Sequence, residues 1–239
     1  MKYQIILFLF VSISCAHADE TDLFSGKDLS AWKEPLGAWS IVDAVALNAA
    51  DPKSFTTQPG EGVTLSGAAG KSTDIISKTE HGDAEIHVEF TVPKNSNSGV
   101  YMQGRYEVQV FDSFGKAEIT KQDCGAIYQR WDEARGKGKE GYEGHAPKVN
   151  ASKAPGEWQS FDITFRAPRF DASGKKIENA KFIKVVHNGQ VIHKNVEMTG
   201  STRGSKFSDE VAMGPIVIQG DHGPVAYRSL KIVPLKSGS

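Results

Sequence analysis

With 239 residues and a formal charge of −1, the chain can bury one large core but offers no basic excess for a nucleic acid. Its two cysteines exclude a disulfide-stapled scaffold, and 24 glycines with 10 prolines interrupt the sequence too often for long helices.

The chain opens like a secretory leader. Lys2 supplies a positive start, Ile5 to Ile13 an apolar run, and Ala16-His17-Ala18 a small-x-small cleavage site. The reading is a signal peptide over residues 1–18 and a mature domain over 19–239, periplasmic or secreted. That apolar run is too short to span a bilayer, and no other segment is apolar enough to do so, so no membrane span is expected. A lipoprotein anchored at Cys15 is the lesser alternative, because Ser12 stands where such a signal wants Leu.

Beyond the leader, short alternating or apolar runs recur. They are Trp39–Leu47, Asp74–Ser77, Ala84–Val92, Gly99–Phe111, Gly125–Tyr128, Trp158–Ala167, Lys181–His187, Gln190–His193, Gly214–Gln219 and Val225–Pro234. Turn signals separate them: Pro93-Lys94-Asn95, Ala172-Ser173-Gly174 and Asn188-Gly189, the last a strong hairpin signal because both residues tolerate positive φ. Many short strands with few helices predict an all-β protein, a single-domain β-sandwich or jelly roll. Residues 129–157, rich in Gly, Lys and Glu, read as a long loop that either covers a binding face or is a solvated insertion. Cys124, in an apolar-small run, reads as a buried structural thiol, and Trp39 and Trp158 as core. His187 and His193 flank the Asn188-Gly189 turn and read as exposed strand residues.

Two segments concentrate hydrogen-bonding chemistry. In Asn95–Gly115, Val100, Met102, Tyr106, Val108 and Val110 share one parity, and Tyr101, Gln103, Arg105, Glu107 and Gln109 the other. Successive strand side chains point to opposite faces, so the first set predicts a core face. The second sets an aromatic ring, a guanidinium, a carboxylate and carboxamides in a row, a surface suited to a polyhydroxylated ligand. The alternative is a solvated face whose charges pair with neighbouring strands. The other segment is Gly214–Gly223, an apolar strand that ends in Gln219, Asp221 and His222 between glycines. His222 suits proton transfer, although Asp221 can equally be a turn cap. Trp131, beside the long segment, could stack on a sugar ring. The sequence has no zincin spacing, Cys/His cluster, phosphate loop, Gly-x-Ser-x-Gly elbow or dinucleotide fingerprint, so no nucleotide or organic cofactor is expected. A divalent metal ion held by side chains from separate strands stays open.

Six ordered blocks resemble the 3-keto-disaccharide hydrolase domain family. They are LFSGKDLSAWK with WSIVDAVAL, then NSGVYMQGRYEVQVFDSFG, CGAIY, PGEWQSFDITFRAPRFDASGK, VVHNGQVIHKNVE and GPIVIQGDHGPVAYRSLKI, running almost end to end from Leu23. The resemblance implies a concanavalin A-like β-sandwich and cleavage of glycosides already oxidised at C3 by a separate oxidoreductase. A C3 ketone acidifies the C2 proton, so one base can start a β-elimination that expels the group at C1, with rehydration giving net hydrolysis. By position in the matched blocks, Glu107 and His222 are the catalytic candidates, as acid–base groups or metal ligands. Tyr101, Arg105, Gln109, Asp112 and Gln219, with Trp131, are the substrate-binding candidates. The family's closing block usually reads Leu-Gln-Asp-His-Gly, whereas Gly220 here separates Gln219 from Asp221, which could re-aim Asp221 and His222. The alternative function is a non-catalytic, lectin-like carbohydrate-binding module on the same fold.

Overall fold

The computed structural model describes residues 20–67 and 70–236, so the expected leader and Cys15 lie outside the described residues. In chain order the first strands are β1 (Thr21–Asp22), β2 (Ser40–Leu47), β3 (Phe55–Leu65), β4 (Ile75–His81), β5 (Ala84–Thr91), β6 (Asn97–Met102), β7 (Tyr106–Phe111) and β8 (Arg130–Trp131). There follow β9 (Gly141–Tyr142), β10 (Gln159–Arg166), β11 (Arg169–Phe170), β12 (Lys176–Glu178), β13 (Ala180–His187), β14 (Gln190–Met198), β15 (Gly214–Ile218) and β16 (Ala226–Pro234). The larger sheet has the order β14-β13-β10-β5-β16-β3-β2, with β1 on β16; the smaller has the order β4-β15-β6-β7. Among the described residues no α-helix is present, and no helix is long and apolar enough to cross a membrane.

The two sheets pack face to face, which makes the all-β sandwich expected from the strand pattern. Ile86, Val88 and Phe90 of β5 and Phe161, Ile163 and Phe165 of β10 meet Val100, Met102, Tyr106, Val108, Val110, Ile216 and Ile218 of the smaller sheet in one buried cluster. The Tyr106 and Phe165 rings lie 5.6 Å apart across the layers. Each such side chain contributes about 1.5–3 kcal/mol on burial. Asn188 and Gly189 (φ 49° and 80°) join β13 to β14 in the expected tight turn.

Several expectations need correction. Gly99–Phe111 is a hairpin rather than one strand: β6 and β7 pair from Asn97↔Phe111 to Met102↔Tyr106. Gln103 and Gly104 turn the chain with φ of 53° and 67°. The register pairs even with even and odd with odd, so the parity of the two faces survives the turn. Strand β3 escaped the sequence pattern because Pro59, Gly60 and Gly62 interrupt its alternation. There Gly60 lets β3 cross Asp43 of β2, where an added Cβ would come within 2.7 Å of the Asp43 Cβ. Residues 129–157 are not an irregular loop but carry the β8–β9 ribbon and a short 3₁₀ turn, Glu133–Arg135. His187 and His193 are buried, not exposed, because their faces of β13 and β14 are covered. His187 packs 4.8 Å from Phe161, and Nε2 of His193 hydrogen-bonds the Gly125 carbonyl at 2.8 Å. Burial holds both imidazoles at about 4.

Candidate active site

The outer face of the smaller sheet carries a cavity of about 310 Å³, lined by Asn97, Tyr101, Glu107, Gln109, Tyr128, Arg203, Gly204, Gln219 and His222. Its floor follows from strand parity. With Val100, Val108 and Ile218 committed to the core, Tyr101, Glu107 and Gln219 must point the other way. Three loops wall it in. Residues 125–128 run along β7, with Gln109 N donating to Ala126 O at 2.9 Å and Tyr128 N to Glu107 O at 3.1 Å, which sets Tyr128 beside Glu107. Thr202 fastens the second loop: its hydroxyl donates to Arg105 O at 3.1 Å and accepts from Glu107 N at 3.2 Å. Arg203, next in the chain, enters the cavity. The third loop leaves β15 through Gly220, packed so closely on Thr73 that a Cβ would lie 2.3 Å from its carbonyl oxygen.

Glu107 is the chemical centre of this floor, with only 2% of its surface exposed. Its side chain lies across Gly99, where an added Cβ would meet Oε1 at 2.2 Å. Burial pushes its carboxyl up from the ordinary 4.5 to about 8; a hydrogen bond from the Tyr101 hydroxyl opposes the rise and the nearby Asp74 charge adds to it. At neutral pH Glu107 is therefore mostly protonated and able to donate. Burial, followed by the Glu107 charge, raises the Tyr101 phenol well above its usual value.

His222 stands at the rim, its side chain 54% exposed, with Nδ1 2.5 Å from Asp221 Oδ1. A carboxylate on Nδ1 keeps the proton there and leaves the Nε2 lone pair free to act as a base. Gln219 lines the cavity beside it, with its Oε1 buried without a partner. An orphaned buried acceptor costs about 1–3 kcal/mol, and a ligand hydroxyl would relieve that cost. Gln109 Nε2 donates to Asn97 Oδ1 at 3.0 Å, so the two carboxamides act as one unit. Arg203 also lines the cavity. Its guanidinium lies 3.7 Å from the Trp131 ring centroid and hydrogen-bonds Tyr128, and no carboxylate among the described residues pairs with it.

The structure thus brings Tyr101, Glu107, Gln109, Gln219 and His222 together and places the other three sequence candidates elsewhere. Arg105 sits at the hairpin turn: Nη2 pairs with Asp209 at 2.9 Å, Nε donates to the Asp209 carbonyl, and the guanidinium lies 4.8 Å from the Phe207 ring centroid. Asp112 caps a turn, accepting from Asn95 N at 2.9 Å. Trp131 lies behind Arg203 rather than on the cavity wall. Sequence reasoning missed Asn97, Tyr128 and Arg203. Tyr128 and Asn97 lay inside blocks already singled out, whereas nothing in the pattern around Arg203 marked it. Among the described residues no three His, Cys, Asp or Glu side chains converge to hold a metal ion.

A larger cavity, about 480 Å³, opens at the other end of the sheets beside His81, Asp83, Arg169 and Met213. There Arg169 Nη1 and Asp83 Oδ1 are 2.8 Å apart in a two-pronged pair, and Gln103 N donates to His81 Nε2 at 3.1 Å.

Solved structures share the fold. One candidate glycosyl hydrolase from Parabacteroides distasonis is 30% identical, with 91% of this chain and 84% of that one covered and a TM-score of 0.66. A second from the same organism is 20% identical over 91% of this chain and 100% of that one, with a TM-score of 0.59. No match was found among curated proteins. The profile of a family described as 3-keto-alpha-glucoside-1,2-lyase-like domains matches residues 19–233. Sandwich, cavity and sequence agree, and the chain belongs to this family of carbohydrate-active glycoside hydrolases and lyases.

Proposed function

We propose that this protein cleaves 3-keto-glycosides by β-elimination across C1 and C2, in an exported compartment and after a separate oxidoreductase has oxidised the sugar at C3. The observation that carries the reading is a buried Glu107, its carboxyl pushed up by that burial, sharing one cavity with an aspartate-oriented His222 and an unpaired Arg203.

His222 Nε2 takes the proton from C2, made acidic by the neighbouring ketone, and the electron pair of that C–H bond delocalises onto the C3 oxygen. Arg203 and the Tyr128 hydroxyl stabilise the enolate oxygen, and this charge stabilisation is the largest expected contribution. The enolate then re-forms the C3 carbonyl, a C1–C2 double bond appears, and the C1–O bond breaks. Glu107 delivers its proton to the departing oxygen and becomes a carboxylate held by Tyr101. Water then adds to C1 while the Glu107 carboxylate takes its proton, and the imidazolium returns the C2 proton, which converts the elimination product to the free 3-keto sugar and restores both residues. Gln219, Gln109 and Asn97 hold the remaining hydroxyls. This scheme needs no pair of carboxylates at the fixed spacings of ordinary glycosidases.

The test is aglycone release from 3-oxidised glucosides by the purified protein, with the unoxidised glucoside as control. Release from the keto form alone is the expected result. Binding of unmodified sugar without cleavage of either form would replace this reading with a carbohydrate-binding module. A parallel arm with EDTA, and with added divalent ions, asks whether a cation assists the enolate.

A further inference from the structure

We infer that Trp131 is a positioning residue: it fixes the plane of the Arg203 guanidinium, so that the cation is presented to the cavity already oriented. The inference rests on the reading of Arg203 as partner of the enolate oxygen. Trp131 reads from sequence as a platform for a sugar ring, but the geometry assigns the ring a different occupant. Arg203 Cζ is 3.7 Å from the ring centroid, the distance of a stacked pair, so that face of the indole is taken by protein.

The stack is built from both sides. Arg203 N donates to Gln129 O at 2.8 Å, tying the loop to the chain that leads into Trp131. Trp131 pairs with Gly141 in the β8–β9 ribbon, and a Cβ at Gly141 would strike the Gln129 side chain at 2.2 Å, so the ribbon closes on the residue that anchors Arg203. The guanidinium also hydrogen-bonds Tyr128, which lines the cavity beside Glu107. An arginine stacked on an indole face and hydrogen-bonded to a phenol has fewer rotamers left to lose when charge develops on the substrate. Among the described residues it has no carboxylate to relax onto. This also explains why the ribbon, which contributes no lining residue of its own, lies beside the cavity.

Two measurements on the full chain test the inference. In NMR spectra of the free protein, the Arg203 side-chain N–H signals should be shifted upfield by the indole ring current, return toward ordinary values in W131A, and stay shifted in W131F. With a 3-keto-glucoside, W131A should lower kcat about 3- to 30-fold with little change in KM, and W131F should recover most of it. W131A added to R203A should cost no more than R203A alone. A sugar platform would instead raise KM in W131A and multiply the loss in the R203A background, which would overturn the inference. Arg203 signals insensitive to W131A would overturn it equally. If the wild-type protein cleaves no 3-keto-glycoside, the functional reading fails, while the spectra still decide whether Trp131 orders Arg203.

Discussion

The β6–β7 hairpin has two faces, both almost sealed from solvent, and they are buried for opposite reasons. On the inner face Val100, Met102, Val108 and Val110 meet the larger sheet and leave nothing unsatisfied. On the outer face Tyr101, Glu107 and Gln109 lie under loops and around a cavity. Low exposure therefore does not separate a core from a site. What separates them is residual chemical demand: a carboxyl kept from ionising, the orphaned Gln219 Oε1, and a guanidinium with no counter-charge.

The largest effect expected from breaking this distinction is on turnover in E107Q. Loss of the proton donor should lower kcat about 10²- to 10⁴-fold. The same substitution should stabilise the fold. The native state keeps a proton that the unfolded chain releases, so the Glu107 contribution to stability falls as pH rises from about 4.5 to about 8, and a neutral Gln escapes that loss. Thermal melts should show E107Q above wild type at pH 8 or higher, with the difference shrinking toward acid pH. A variant that loses both activity and stability would return Glu107 to the structural face.

G99A comes next. Its Cβ needs the space that Oε1 of Glu107 occupies, and the carboxyl is the movable partner. Turnover should fall about 10- to 100-fold, a larger effect than on melting temperature, because the added methyl displaces the Glu107 side chain and misplacing a reacting group is costly. Unchanged turnover would show that the Glu107 position is not critical. In M102A the pattern should invert: about 2–5 kcal/mol lost in denaturant titrations, from the fully buried inner face, with kcat per folded molecule retained.

The pH profile sharpens the comparison further. Wild-type kcat should decline as pH rises through about 8, where Glu107 loses its proton, and that limb should be missing from the residual activity of E107Q. A plateau in wild type well past that pH would remove Glu107 from the acid role. The smallest effect belongs to R105K, at the hairpin turn. It should weaken the fold by disturbing the contacts with Asp209 and Phe207, yet leave kcat within about twofold, since Arg105 does not reach the cavity.

Strand parity made the hairpin faces legible before any coordinates, because one wrong step would turn every valine outward. Gly104 was the visible sign of the turn that takes Gln103 and Arg105 off the site face, but alternation on both sides of it masked the reversal. Glu107 and His222 were legible as chemistry in context. Arg203 was not, because its approach depends on Thr202 bridging to the backbone of Arg105 and Glu107, a pairing across about a hundred residues that leaves no local pattern. The buried His187 and His193 were misread for a related reason: a turn signal reports where the chain reverses, not what covers the strands on either side.

Cys124 gives the molecule a property unrelated to sugars. It is the only cysteine among the described residues, its backbone N–H is held by Ser113 Oγ at 2.9 Å, and burial pushes its thiol up to about 12. A thiol that neither meets solvent nor ionises is inert in the folded protein and reactive once the sandwich separates. The chain thus carries its own clock for opening: the rate at which a thiol reagent modifies Cys124 under native conditions reports how often the packing around this residue opens.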